Sequence, residues 1–268
     1  MARPRSYLFV PGQRPDRFAK AAASGADTII LDLEDAVGAE FKDAARGNIV
    51  DWFAAGGQGV VRINGAETPW FAEDIAAMAA CPEAVIMVPK ADPETLRAVS
   101  AMLPRRKLIA LVETVAGWVS LREGASVPGV VRLAFGNLDF GSDARIPGGG
   151  AVLDPARFEI VIASRLAGLP PPIEGVTVAI GEADALTQDI AHARALGFTA
   201  KLCIHPVQVV PVNAGFSPSE SEIAWARGIL AALEAAGGSV VQVDGKMVDR
   251  PMINQARLIL GEAGAITS

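Results

Sequence analysis

Short apolar runs recur along the chain, each closed by polar or acidic residues and followed by a segment of helical composition. Tyr7-Leu8-Phe9-Val10 stops at Pro11-Gly12. Asp27 to Asp35 holds Ile29-Ile30-Leu31 and has a densely acidic carboxyl end. Val60 to Asn64 and Ala84 to Val88 follow, the latter stopping at Pro89-Lys90. Leu108 to Val112 and Val130 to Phe135 are near-continuous apolar runs, the pattern of strands buried on both faces of a parallel sheet. A weaker run spans Val176 to Ile180, and Lys201 to Ile204 ends at His205-Pro206. Helices are predicted between them, over residues 14–24, 41–55, 70–80, 158–168 and 185–196, with another starting at Asp92. Eight strands alternating with helices predict an α/β fold, a (β/α)8 TIM barrel. An open doubly wound sheet is the rival, but the chain lacks the phosphate fingerprint that such sheets carry.

After His205 the pattern changes. A helix is predicted from Ser217 to Ala236. Two short strands then flank Asp244-Gly245, a hairpin turn signal, and a last helix starts at Asp249-Arg250-Pro251. The expected organisation is a barrel over residues 1–216 and a helix–hairpin–helix extension over residues 217–268. That extension is too small for a core of its own, so it is expected to pack on the barrel or at a subunit interface.

Composition narrows the class. The 268 residues suit one barrel, and with 51% hydrophobic residues a large core is available. The net charge of −6 and the absence of any basic run longer than Pro104-Arg105-Arg106-Lys107 argue against a nucleic-acid partner. Cys81 and Cys203 lie far apart without metal spacing, which reads as buried thiols in a reducing compartment. No stretch has the length of a signal h-region or a membrane span. A cytoplasmic protein with no membrane partner is expected.

Barrel chemistry sits at the carboxyl ends of the strands. Those ends carry Glu34, Asp35, Arg62, Asn64, Lys90, Glu113, Asp139 and His205. Glu113 and Asp139, closing neighbouring strands, are hard oxygen ligands for Mg2+ or Mn2+, or else acids placed at helix N-termini. Glu34 and Asp35 either orient water around that metal or cap a helix. Arg62 inside the mouth needs an anion, which is either a nearby acid or a substrate carboxylate or developing oxyanion. Lys90 carries the same two readings. His205 is either a general base or a hydrogen-bonded residue closing its strand. The Gly148-Gly149-Gly150 loop lacks the lysine and hydroxyl residue of a P-loop.

RSYLFVPG, DTIILDLEDAV, VVRIN, VPK, LVET, FGNLDF and CIHPVQ, in this order and spacing, resemble the HpcH/HpaI aldolase and citrate lyase family. The nearest branch is that of citrate lyase beta-subunit-like proteins, relatives of malyl-CoA and citramalyl-CoA lyases. The resemblance implies a Mg2+-dependent barrel that makes or breaks a carbon–carbon bond beside a CoA thioester, with a 2-oxo acid as the other partner. Carried over residue by residue, it implies Glu113 and Asp139 as metal ligands and Arg62 as a substrate contact. Glu34 and Asp35 fall near the metal's water. DGKMVDRP is similar to a segment whose aspartate, here Asp249, reaches a neighbouring subunit's site as a catalytic base, in a homotrimer. The chain departs from many lyases of the family at Leu138, where they have glutamate, and in the loop GSDARIPGGG. The same residues would also serve a malyl-CoA-type thioesterase, a class II 2-oxo acid aldolase, or a non-catalytic subunit of a citrate lyase-like complex.

Overall fold

The computed structural model describes residues 3–235, 242–243 and 246–267. The chain divides into two compact units, Pro4–Asn213 and a C-terminal unit that begins at Ala214.

In the first unit eight parallel strands close into a barrel in chain order. They are β1 Ser6–Pro11, β2 Thr28–Asp32, β3 Val60–Arg62, β4 Val85–Val88, β5 Leu108–Val112, β6 Val130–Phe135, β7 Ile173–Glu174 and β8 Ala200–Cys203. Helices follow the strands, as right-handed βαβ crossovers require. The helix predicted from residue 14 is shorter than expected. Pro15–Arg17 forms a single 3-10 turn and the α-helix covers only Phe18–Ala22. No helix among the described residues is long and apolar enough to cross a membrane.

Because side chains alternate along a strand, every second residue points to the barrel axis. Tyr7, Ile30, Val60, Ile109, Leu111 and Leu202 belong to one buried cluster that fills the interior. Near the amino-terminal end Arg132 donates to Pro4 O, Pro171 O, Tyr7 Oη and Thr199 Oγ1 at 2.8–3.0 Å. That face is thereby closed by neutral oxygens.

β7 corrects the expected strand at Val176 to Ile180. The strand is Ile173–Glu174, while Val178 and Ile180 are exposed. Three prolines, Pro170 to Pro172, precede it and supply no N–H for a ladder. Its outward residue is a buried acid rather than an apolar one. Glu174 accepts from Arg157 Nε at 3.1 and 3.0 Å and is the register partner of Lys201. Lys201 Nζ donates to Gly175 O at 2.8 Å. Burial pulls the Lys201 pKa below its ordinary value, against the attraction of Glu174.

In the C-terminal unit, helices Glu220–Ala235 and Arg250–Thr267 pack through Ala226, Ile229 and Ala256, with Val248 beside them. Between the helices β9 Gln242–Val243 pairs antiparallel with β10 Lys246–Met247. The turn expected at Asp244-Gly245 lies outside the described residues.

Removing one member of a buried ion network takes a counter-charge from the others, although Arg157 keeps Asp154 at 3.2 Å. Glu174→Ala is expected to lose about 3–5 kcal/mol of stability in chemical denaturation. A loss below about 1 kcal/mol, the scale of an exposed pair, would show that Arg157 and Lys201 do not depend on it.

Candidate active site

Extending the inward alternation by one step at each strand end builds the mouth. Ile30 leads to Asp32, Val60 to Arg62, Leu111 to Glu113, Ala134 to Gly136 and Leu202 to Ile204. These end residues all line a cavity of about 380 Å³, which Asp35, Asp139 and Leu138 also border. The cavity lining therefore mixes acids with apolar residues, among them Phe9, Leu111, Val176 and Leu202.

Asp32 and Arg62 are register partners on β2 and β3. Asp32, fully buried, accepts from Arg62 Nε at 2.7 Å and Nη2 at 2.8 Å, a two-pronged charged pair. Asp35 takes a third donor, from Nη1 at 3.1 Å. A guanidinium has five N–H groups, so two make no hydrogen bond within the protein, although Nη1 also lies beside Glu34. Arg62 Cζ also lies over the Phe9 ring, 4.8 Å from its centroid. Burial works against its charge, but Asp32, then Glu34 and Asp35, outweigh it and hold the pKa above the ordinary arginine value.

The remaining acids are under electrostatic pressure. Burial pushes the Glu34 carboxyl up to about 8; Arg62 opposes the rise, and Glu113, Asp35 and Asp32 add to it. Burial lifts Glu113 to about 7, against the Lys90 N–H and Arg62 and with the help of Asp139 and Asp35. Asp139 is raised too, by burial and then by Asp35. Glu34 Oε2 lies 2.9 Å from Arg62 Nη1 at an angle that makes no hydrogen bond, and it is buried without a donor.

This donor set fits a divalent cation. Carboxyl groups crowd the mouth, and a cation there would favour their ionised forms. No group of three or more His, Cys, Asp or Glu converges as an all-protein cage among the described residues. Two carboxylates, Glu113 and Asp139, would leave the other positions to water and substrate, the habit of Mg2+. Gly136 makes room for the first of them. A Cβ there would stand 2.5 Å from Glu113 Cβ and 2.7 Å from its Oε2.

The loop bearing Glu34 and Asp35 is held from both sides. Asp32 accepts from Glu34 N and Ala36 N at 3.0 Å. On the far side buried Lys42 donates to Leu33 O, Glu34 O and Asn64 Oδ1 at 2.6–2.8 Å. Asn64, expected at a strand end, is thus a support, fixed in turn by Asp74.

Other expected residues divide. Lys90 pairs through Nζ with Glu67, while its backbone N–H donates to Glu113 Oε1 at 2.7 Å. His205 Nδ1 accepts from Val207 N at 3.2 Å, which gives it the strand-closing role of its two readings. Asp139 sits in the first turn of the short helix Asn137–Asp143, so the helix-terminal placement and the mouth placement both hold. Asp249 belongs to the C-terminal unit, where its Oδ1 accepts from Met252 N at 3.0 Å and caps the last helix.

Three residues were overlooked in the sequence. Asp32 lay inside an acidic run, and the period-2 step from Ile30 would have singled it out. Gly136 is legible only as a glycine next to a strand end. Asn137 clamps the segment after β7, accepting from Val176 N at 2.9 Å and donating to Val176 O at 3.2 Å. A side chain on Gly175 would collide with it.

Fold and mouth together define a (β/α)8 barrel protein with a carboxylate-rich mouth of the kind that takes a hard cation. The chain belongs to the HpcH/HpaI aldolase/citrate lyase family, whose model matches residues 5–206. It is 38% identical over 270 residues to a citrate lyase subunit beta-like protein of Mycobacterium tuberculosis, covering 98% of this chain and 96% of that one. It is 35% identical over 274 residues to a (3S)-malyl-CoA thioesterase of Cereibacter sphaeroides, with the same coverages. The crystal structure of CitE from Mycobacterium tuberculosis with magnesium, acetoacetate and coenzyme A superposes with a TM-score of 0.85. That protein is 34% identical, with 98% of each chain covered.

The raised acids set a pH dependence. Glu34 and Glu113 hold protons in the folded state that the unfolded chain has released. Without metal, stability is therefore present below about 4.5 and is lost as pH rises through about 7 and 8. Mg2+ needs the ionised forms, so its stabilisation runs the other way. Thermal melts of metal-free protein should show Tm falling over this window, and added Mg2+ should raise Tm more at its upper end. A flat metal-free profile, or an equal Mg2+ effect at both ends, would contradict this origin.

Proposed function

We propose that this chain is a Mg2+-dependent carbon–carbon lyase. Its substrate would be a 3-hydroxy-acyl-CoA thioester such as malyl-, citramalyl- or citryl-CoA, cleaved to (or made from) an acyl-CoA and a 2-oxo acid. The observation that carries this reading is Arg62, braced from behind by Asp32 with two N–H groups to spare, in the cavity that Glu113 and Asp139 also line. The Mycobacterium tuberculosis relative bound to magnesium, acetoacetate and coenzyme A supports the choice of cation and thiol ester carrier.

In this reading Glu113 and Asp139 would hold Mg2+, and Glu34 and Asp35 would orient water near it. When bound, Mg2+ supplies Lewis acidity to the carboxylate and neighbouring oxygen of the 2-oxo acid portion. The spare N–H groups of Arg62 meet the oxygen on which charge changes as the bond breaks, and they speed the step insofar as that contact strengthens in the transition state. The apolar residues of the lining keep bulk water from the reacting carbons.

A base must take the hydroxyl proton as the bond between the hydroxyl-bearing carbon and the thioester α-carbon breaks. The electron pair leaves with the thioester as its enolate. Asp249 is the proposed base, supplied from one copy to another in a homotrimer, as the family resemblance implies. Asparagine caps helices as well as aspartate does. Asp249→Asn is therefore expected to keep the last helix and Mg2+ affinity while turnover falls about 100-fold or more. Unchanged turnover would remove Asp249 from the chemistry.

A thioesterase is the second reading, favoured by the 35% identity to the Cereibacter sphaeroides protein. There the same mouth would direct water at the thioester carbonyl. A panel of malyl-, methylmalyl-, citramalyl- and citryl-CoA, with 2-oxo acid and free thiol followed separately, separates the two. Release of a 2-oxo acid that is abolished in Glu113→Ala is expected. Thiol release alone would replace the lyase with the thioesterase, and silence across the panel would overturn both.

A further inference from the structure

We propose that Lys90 is a positioning residue for Glu113 and acts through its backbone, with Gly136 holding open the space on the other side. This rests on the reading of Glu113 as a cation ligand. Beyond β4 the chain turns with Lys90 at φ 47°. Residues with side chains seldom adopt this left-handed conformation, and they keep it only where the surroundings over-determine it. The ion pair with Glu67 does not account for it. Those side chains are 47% and 53% exposed, and an exposed pair contributes little.

The turned amide does account for it. Lys90 N donates to Glu113 Oε1 at 2.7 Å. The next amide, Ala91 N, donates to Leu111 O at 3.0 Å, which pins the turn to β5, the strand that ends at Glu113. On the opposite side, Glu113 Oε2 lies against the Gly136 backbone, where a Cβ would stand 2.7 Å away. Gly136 directly precedes the helix Asn137–Asp143 that carries Asp139. One carboxylate oxygen is therefore tied to the β4 side and the other lies against the segment that leads into the helix of the second ligand. A backbone donor suits this task because, unlike a lysine ammonium, it adds no full positive charge next to a cation site.

The test is Mn2+ affinity of the full chain, read from the EPR signal of free Mn2+, together with the Lys90 amide proton shift in metal-free protein. Lys90→Gly keeps the N–H and favours positive φ while deleting the ammonium, so its affinity should stay within about twofold of wild type. Lys90→Val disfavours that φ, and Gly136→Ala fills the space; each should weaken Mn2+ binding about 10- to 100-fold. The Lys90 amide proton should lie downfield and move upfield in Glu113→Gln. A loss in Lys90→Gly as large as in Lys90→Val would assign the role to the ammonium, and unchanged binding in Lys90→Val and Gly136→Ala would abolish it. Wild-type protein that takes up no Mn2+ would overturn the cation reading. An amide shift unmoved by Glu113→Gln would overturn the positioning itself, even in a chain that binds Mn2+.

Discussion

The Asp32–Arg62 pair is the interaction on which the mouth depends. The two residues face each other across adjacent strands, and both are buried. Removing Arg62 would leave Asp32 fully buried without its ion-pair partner, which is far more costly than losing a surface pair. Asp32 also accepts from Glu34 N and Ala36 N, so the same carboxylate that braces the guanidinium shapes the acidic loop. Glu34, Asp35, Glu113 and Asp139 are then gathered around one guanidinium. Burial first, and then their mutual repulsion, raises Glu34, Glu113 and Asp139.

The two ends of the barrel show how one device serves two purposes. At the amino-terminal end Arg132 also points inward, but its donors meet carbonyl and hydroxyl oxygens and seal the interior. At the carboxyl end Arg62 meets carboxylates and keeps two N–H groups unspent. Strand-end chemistry and the family membership both support the proposed anionic substrate beside a cation. Support comes from outside the barrel as well. Lys42, Asn64 and Asp74 form a buried chain behind the β2 loop, so the acids are placed by packing as well as by the strand that ends at Asp32.

Much of this was legible in the sequence because a parallel barrel writes itself as apolar runs ending in polar residues. Leu108–Val112 matched its predicted bounds, and Glu113, Asp139, Arg62 and Asp35 do line one cavity, with Glu34 against Arg62. What stayed hidden depends on tertiary partners. β7 has a charged residue in its outward position because Arg157 pairs with it from another element. Asp32 was masked by the acids that follow it, although strand alternation contained the answer. Asp249 has no signal in spacing at all, and in its own chain it shows only a local helix cap.

The central claim is that the excess of carboxylates around Arg62 forms a divalent-cation site. The most direct measurement is an anomalous-scattering map from crystals of the protein soaked in Mn2+. One strong peak in the mouth, in contact with Glu113 and Asp139 and lost in Glu113→Ala, is expected. A mouth without a peak at saturating Mn2+ would contradict the claim, and so would a peak held by other residues.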